Sequence, residues 1–171
     1  MIHINIGSNL SSVFGDKFKN INIAIDLLFA LKIKIIKISD IYETPSYPNK
    51  KNPKFLNIGV LISCNFNPTE LLKNLKLIEK KIGRIKAHKN EPRVCDIDKI
   101  DFNGLIKETN SLNLPHQRCH LRNFVLYPIK EIDPDWKHPI LKKNIDLLIH
   151  ELSRNSRIEI TRLRKSVIIN L

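Results

Sequence analysis

Hydrophobic residues alternate with polar ones, or recur at helical spacing, through most of the first hundred positions. Residues 3–8 alternate and then stop at a Gly-Ser-Asn turn, which predicts a short strand. From about Lys17 to Leu31 the apolar positions recur with the period of an amphipathic helix. Two further strands are predicted, from Ile35 to Tyr42 and from Phe55 to Asn65, where β-branched and apolar residues dominate.

The next segment repeats the pattern of a helix followed by a strand. Pro68 suits the first turn of a helix, and Gly83 suits its C-terminal stop. A strand from Val94 to Phe102 follows and ends at the turn Asn103-Gly104. The order β-α-β-β-α-β is that of ferredoxin-like folds, α+β proteins in which helices cover one face of a mainly antiparallel sheet. We therefore expect the other face to be free to build a site.

The last third of the chain has a less regular pattern. It predicts a Leu-Pro-His turn at 114–116, a short helix near 121–127, a helix around 141–152 and a strand pair within 158–171. We find no internal repeat, low-complexity segment or linker in the sequence. One domain over residues 1–171 is the expectation.

Charge adds a constraint on the ligands. The 29 lysines and arginines exceed the 17 acidic residues by 12, so the surface attracts anions such as nucleotide phosphates, nucleic acid or anionic lipid. The charge does not select among them, and abundant lysine beside isoleucine and asparagine also fits a biased genome composition. The 42% hydrophobic content is sufficient for a core without disulfides or metal.

The cysteines and the apolar runs indicate a compartment. Cys64, Cys95 and Cys119 are odd in number and widely spaced, which favours structural thiols in a reducing cytosol over a disulfide framework or a zinc site. The sequence shows no signal segment and no apolar run of the roughly 18 residues that span a bilayer. We therefore expect a cytoplasmic protein with no membrane partner.

Two carboxylates are the first candidates for chemistry. Asp96 and Asp98 stand at i and i+2 on a predicted strand, so both project from one face with Cα atoms about 6.6 Å apart. Such a pair can hold Mg²⁺ together with substrate phosphates, although a solvated strand face gives the same pattern. Cations that could neutralise a triphosphate precede the pair, namely Arg84, Lys86, Lys89 and Arg93.

Five separated motifs share an order and spacing with a known family. They are Gly7-Ser8-Asn9-Leu10, Tyr42-Glu43-Thr44-Pro45, Phe55-Leu56-Asn57, Pro92-Arg93-x-x-Asp96-x-Asp98, and Pro115-His116 with Arg122-x-Phe124. Across roughly residues 2–140 this pattern resembles the 6-hydroxymethyl-7,8-dihydropterin pyrophosphokinases. The resemblance implies transfer of the terminal diphosphate of ATP to the pterin in folate biosynthesis, with release of AMP.

The resemblance also implies roles for particular residues. Asp96 and Asp98 would bind two Mg²⁺ ions, and Arg84 and Arg93 would act with them in catalysis. The ATP contacts would be Arg84, Lys86, Arg93, His116 and Arg122. The pterin contacts would be Thr44, Pro45, Phe55, Asn57 and Phe124, where aromatic rings suit a flat heterocycle and an amide suits its edge.

Two loops and the tail complete the expectations. The loops around Tyr47 and from Lys86 to Glu91 match family segments that close over bound substrates. The family usually has Arg-Trp-Gly-Pro-Arg where this chain has Lys89-Asn90-Glu91-Pro92-Arg93, so a slower or degenerate enzyme is an alternative. The basic tail over 155–171 lies beyond the resemblance, and an added edge hairpin is the favoured interpretation.

Two other functions fit parts of the sequence. A basic ferredoxin-like domain can bind RNA, but the aromatic strand motif of such modules is missing from the sequence. A nucleotidyltransferase also combines Gly-Ser with Asp-x-Asp, but there the two motifs lie close together, whereas Ser8 and Asp96 are far apart. We expect small-molecule substrates, no nucleic-acid partner and a monomer.

Overall fold

The computed structural model describes residues 1–85, 91–109, 111–165 and 167. Its strands are β1 Ile2–Ser8, β2 Lys34–Ile38, β3 Tyr42–Thr44, β4 Phe55–Ser63, β5 Asp96–Phe102, β6 Lys107–Glu108, β7 Asn113–Leu114 and β8 Thr161–Arg162. Its α-helices are α1 Lys17–Ala30, α2 Pro68–Ile82, α3 Asn123–Ile132, α4 Ile145–Glu151 and α5 Arg154–Ile158, with one 3₁₀ turn at Cys119–Leu121.

The main sheet has the predicted ferredoxin-like topology. The strand order is β5-β1-β4-β3-β8. Strand β2 also pairs with β4, along residues 60–63, whereas β3 pairs with residues 55–57. Every pairing within the sheet is antiparallel. A separate two-stranded ribbon is formed by β6 and β7. The α+β class and the βαββαβ order are thus confirmed.

The prediction of one strand from Ile35 to Tyr42 is wrong, because the segment forms two strands. Both pair with β4, but the chain takes four steps from Ile38 to Tyr42 while β4 takes three from Val60 to Asn57. The extra residue breaks the ladder, as in a β-bulge. The backbone N–H of Asp40 turns away and donates to Glu131 of α3 at 2.9 Å.

Local capping explains where the two long helices begin and end. Asp16 caps α1, and its carboxylate accepts the N–H of Lys19 at 2.8 Å. Asn67 and Glu70 form a reciprocal capping box at the start of α2, which follows the expected proline. As predicted, Gly83 ends α2, with a left-handed φ of 103° that glycine adopts without strain.

The face of the sheet that packs on α1 and α2 is apolar. Its strand residues are fully or nearly fully buried, and they include Ile4, Ile6, Ile58, Val60 and Ile97. The opposite face carries polar and small residues, which are His3, Asn5, Gly7, Asn57 and Gly59. Helix α3 packs on part of it, where a Cβ on Gly59 would lie 2.8 Å from the Cβ of Pro128. One end of that face remains open.

The C-terminal third differs in detail from the sequence expectation. Helix α3 is longer than predicted, and α4 begins only at Ile145 because Asn144 caps it. Helix α5 was not predicted. The expected strand pair over 158–171 is found only as β8, which joins the edge of the sheet beside β3, and its second half falls mostly outside the described residues.

The cysteines and helices bear on two further expectations. Cys64, Cys95 and Cys119 are free thiols, and burial raises the pKa of Cys119 to about 12. Among the helices in the described ranges, none combines the length and apolar content needed to traverse a bilayer.

Candidate active site

A cavity of about 930 Å³ lies at the open end of the polar face. Strands β1, β4 and β5 supply its floor through Gly7, Asn57, Asp96 and Asp98. The cavity also contains most of the sequence-predicted site residues, which are Thr44, Pro45, Phe55, Arg84, Arg93, His116, Arg122 and Phe124. The fold therefore gathers into one space residues as far apart in the chain as Gly7 and Phe124.

Asp96 is held by two arginines. Its Oδ1 accepts from Arg84 at 2.6 Å, and its Oδ2 accepts from Arg93 at 2.9 Å. Burial of the carboxylate opposes its ionisation, but the charges of Arg93 and Arg84 outweigh burial and hold the pKa of Asp96 below its ordinary value. The carboxylate is therefore anionic at neutral pH and carries two cations that could turn to a phosphate.

Asp98 faces a second pair of basic groups. Its Oδ2 accepts from Arg122 at 3.1 Å and lies 4.0 Å from Nε2 of His116. Nδ1 of His116 accepts the N–H of Arg118, so the neutral ring carries its proton on Nε2. Burial lowers the pKa of His116 despite the nearby Asp98. At neutral pH His116 is thus a neutral hydrogen-bond donor beside the carboxylate.

Glu79 is a site residue that the sequence analysis missed. It lies on α2, and one carboxylate oxygen contacts Arg84 at 2.7 Å, Lys76 at 2.7 Å and the N–H of Ile97 at 2.7 Å. Burial raises the pKa of Glu79, with Lys76 opposing. The contact orients Arg84 toward Asp96. Its sequence signal is weak, since a glutamate between lysines on a helix is usually solvated.

The predicted pterin contacts line the other side of the same cavity. The amide nitrogen of Asn57 donates to Oγ1 of Thr44 at 3.2 Å, both residues being buried. A Cβ on Gly7 would stand 2.8 Å from Oδ1 of Asn57, so glycine is needed for this close approach. Arg122 lies over the ring of Phe124, 5.4 Å from its centroid. The amide and the ring are thereby fixed at the edge of the cavity.

Asn9 ties together two loops that border the cavity. Its side-chain oxygen accepts the N–H of Arg93 at 2.7 Å, and its nitrogen donates to Ser46 at 3.2 Å and to the carbonyl of Pro53 at 3.1 Å. Ser46 also donates to Pro53. The sequence marked Asn9 as part of a turn but gave no sign of this role, because its partners are 37 to 84 positions away.

A smaller cavity of about 180 Å³ adjoins the large one. Lys76, Asp98 and His116 line both. The rest of the smaller cavity's lining was not indicated by any sequence motif and consists of Leu72, Ile97, Lys99, Ser111, Leu112, Asn113 and Gln117. Burial lowers the pKa of Lys99 to about 8, and its ammonium donates to the carbonyl of Pro68.

One predicted ATP contact cannot be placed. Lys86 lies outside the described residues, and so do Lys89 and Asn90 of the second loop. The described residues that flank this gap, Arg84 and Arg93, both point into the cavity.

A second cluster lies away from the cavity. Ligand-type atoms of Cys119, His120 and His138 fall within 4.8 Å of one another, although their sequence spacing did not indicate zinc. Nδ1 of His138 accepts the N–H groups of Ile140 and Leu141, which places the proton on Nε2. A metal-binding histidine instead donates from its second nitrogen. The hydrogen bonding therefore disfavours a metal site here.

Comparisons with known proteins bear on the family. The model of the 7,8-dihydro-6-hydroxymethylpterin-pyrophosphokinase (HPPK) family matches residues 3–134. The folic acid synthesis protein FOL1 of Dictyostelium discoideum is 38% identical over 141 residues, which are 82% of this chain and 21% of that protein. The 2-amino-4-hydroxy-6-hydroxymethyldihydropteridine pyrophosphokinase of Aquifex aeolicus is 34% identical over 142 residues, covering 83% of this chain and 86% of that protein.

Solved structures agree on the fold. The wild-type HPPK-DHPS of Plasmodium falciparum has a TM-score of 0.68 and 17% identity, over 94% of this chain and 47% of that chain. At that identity the likeness shows the fold alone. This chain spans about a fifth of the length of FOL1 but most of the Aquifex protein. Since the family model matches well over half of the residues, the chain belongs to the 7,8-dihydro-6-hydroxymethylpterin-pyrophosphokinase family.

Proposed function

We propose that this protein transfers the terminal diphosphate of ATP to 6-hydroxymethyl-7,8-dihydropterin, giving AMP and the pterin diphosphate in folate biosynthesis. Family membership and the names of the relatives support this activity. The observation that carries it is the shared cavity, in which Asp96 and Asp98 face Arg84, Arg93 and the Asn57 amide. A phosphate-binding half and a heterocycle-binding half thus open on one space.

The carboxylate pair fits Mg²⁺. Asp96 and Asp98 offer hard oxygen donors from one face of a strand, and both remain partly exposed to the cavity. In our proposal the two residues hold two Mg²⁺ ions. Bound there, the ions would supply neutralisation of the phosphate oxygens as charge develops.

The basic residues act on the triphosphate. Arg84 and Arg93 hold Asp96 in the free protein, and they are within reach of any phosphate that is bound beside it. Nε2–H of His116 and the guanidinium of Arg122 supply donors on the Asp98 side. These groups are preorganised by Glu79 and by backbone contacts, so little reorganisation is needed during transfer. Lys86 is a further ATP contact in this proposal.

The heterocycles occupy the two cavities. The pterin lies near Phe55 and Phe124, with the Asn57 amide and the Thr44–Pro45 segment at its edge. The smaller cavity has apolar walls from Leu72 and Leu112 and adjoins Asp98, so it suits the adenine of the same ATP. The hydroxymethyl oxygen of the pterin would then lose its proton and attack the β-phosphorus close to the carboxylates. The bond from the β-phosphorus to the α-phosphate oxygen would break, and AMP would leave.

Product analysis tests the proposal. Purified protein is incubated with ATP, Mg²⁺ and the hydroxymethyl-dihydropterin, beside a double variant with Asp96→Ala and Asp98→Ala. We expect AMP that depends on the pterin and disappears in the variant and on chelation of Mg²⁺. Pyrophosphate release with AMP incorporated into the acceptor would instead indicate a nucleotidyltransferase, and RNA retained on a filter at moderate salt would favour the RNA-binding alternative.

The remaining expectations belong to the same proposal. We further propose a monomeric, cytoplasmic enzyme with no nucleic-acid or membrane partner. The three free thiols support a reducing compartment. Sedimentation at working concentration tests the monomer. If AMP formation is absent while ATP still binds, the unusual Asn90 and Glu91 would point to the degenerate alternative.

A further inference from the structure

The C-terminal segment contributes a wall to the large cavity. Residues 153–165 lie beyond the 3–134 range that the family model matches. Yet Ser153, Asn155, Ser156 and Glu159 line the same cavity as the predicted site residues. The basic tail was interpreted from the sequence as an edge hairpin of unreadable role. The structure instead brings its first part to the site.

This wall is fixed beside Phe124. The amide nitrogen of Asn123 donates to the carbonyl of Ser156 at 2.6 Å, and its oxygen accepts the N–H of Phe124 at 2.6 Å. One buried side chain therefore joins helix α5 to the residue that carries the aromatic ring. A shift of α5 would be transmitted to the pterin side of the cavity.

The segment is also attached to β3, which leads to Thr44. Leu163 and Lys165 exchange backbone hydrogen bonds with Ile41, at 2.9 and 3.1 Å. Arg162 pairs with Asp40 at 2.8 Å and with Glu131 at 3.1 Å. These contacts bind the segment along the strand that enters the predicted pterin site.

An ion pair joins the wall to the first loop. Lys50, near the tip of the loop over residues 45–54, pairs with Glu159 at the end of α5, and both line the cavity. The base of the same loop is held by Asn9 through Ser46 and Pro53. The loop is thus fastened at its base to β1 and at its tip to the C-terminal segment.

We propose that residues 153–159 form the outer wall of the pterin site and that the Lys50–Glu159 pair holds the loop tip against it. The inference rests on the proposed function for its substrate. By ordering the loop before binding, the pair reduces the entropy lost when the pterin enters. Lys50 and Glu159 are positioning residues, since they act through the loop. Their side chains are partly exposed, so the effect is modest and sensitive to salt.

Steady-state kinetics tests the pair. We compare Glu159→Gln, Lys50→Gln and the exchanged pair K50E/E159K with the wild type, using Lys51→Gln as the matched control. Lys51 is exposed and makes no ion pair with any residue in the described ranges. At low salt each single variant should raise the KM for the pterin about two- to five-fold, with kcat and the KM for ATP unchanged. The exchanged pair should restore most of the affinity, and added salt should bring the wild type toward the variants.

A measurement without substrate separates the two proposals. Hydrogen exchange of residues 45–54 should speed up in Glu159→Gln and Lys50→Gln, but not in Lys51→Gln. If the wild type made no AMP, the proposed function would fail, while faster exchange would still support the pair. If the variants matched Lys51→Gln in both KM and exchange, or if the exchanged pair gave no rescue, the inference would be overturned.

Discussion

The two faces of the sheet are built from the same strands but differ in almost every respect. On one face Ile4, Ile6 and Ile58 are fully buried against α1 and α2. On the other, alternate residues of the same strands are Asn5, Gly7 and Asn57. One face supplies apolar burial, which drives folding. The other supplies small and polar groups that leave room for a cavity.

The polar face is itself divided into two ends. At the open end Asp96 and Asp98 point into the cavity with their arginines. At the other end His3 pairs with Asp133 at 2.8 Å, and Asp101 accepts from Trp136 at 2.8 Å, beneath α3. The buried groups contact one another, although Nδ1 of His3 makes no hydrogen bond, whereas the open ones face a space for ligands. Position along a strand thus decides whether a polar residue has a structural role or a site role.

The largest expected effect is loss of activity without loss of fold. Asp98→Asn keeps an oxygen that can accept from Arg122 but removes the charge that a divalent cation needs. We expect AMP formation to fall by about 10²- to 10³-fold. The free energy of unfolding should change by less than about 1 kcal/mol, because the pair is partly exposed. A loss of unfolding free energy well above about 1 kcal/mol, measured by urea unfolding, would contradict the separation of the two faces.

A change on the apolar face should have the converse effect. Ile58→Ala leaves a cavity between the sheet and the two helices and should cost about 2–5 kcal/mol of unfolding free energy. Ile58 points into the core, away from the cavity, whereas its neighbour Asn57 faces the cavity. The kcat of the folded fraction should therefore stay near the wild-type value. Ile58→Val, with a cost of about 0.5–1.5 kcal/mol, is the matched control. A fall in kcat larger than the unfolded fraction would show that the faces are coupled.

The apolar face was the part that the sequence predicted well. Its alternating strands and amphipathic helices depend on local periodicity, so the βαββαβ order, the helix start at Pro68 and the stop at Gly83 followed directly. The break between β2 and β3 did not, because it depends on a register with β4 that no local pattern encodes. Helix α5 is five residues long and carries no hydrophobic period.

The site was predictable only in part, for the same reason. Asp96 and Asp98 share a face because of strand geometry, and the family resemblance added the partners that the structure brings beside them. Contacts between distant segments bring the other site residues to the cavity, namely Asn9, Glu79 and the wall formed by 153–159. Such contacts depend on how the strands are ordered and where loops cross, which a single sequence leaves open.

The smallest expected effect is a pH dependence of stability that comes from His138, near the buried end of the polar face. Burial, aided by His120, lowers the pKa of His138 to about 4, below the value of about 6.5 for an unfolded chain. Between these pH values His138 is protonated in the unfolded chain but still neutral in the folded protein. The free energy of unfolding therefore falls as the pH drops from about 6.5 to about 4. The loss from this group should reach about 1–3 kcal/mol and then stop.

His138→Asn isolates that contribution. An asparagine oxygen can accept the N–H groups of Ile140 and Leu141 as Nδ1 does, but it does not titrate. Burial also lowers the pKa of His3, but His3 is present in both proteins, so its contribution cancels in the difference. Urea unfolding at pH 7 and pH 4.5 should show the stability advantage of the wild type shrinking as the pH falls. If the difference in unfolding free energy between the two proteins did not change with pH, His138 would be no harder to protonate in the folded protein than in the unfolded chain. The buried end would then tolerate charge as the open end does.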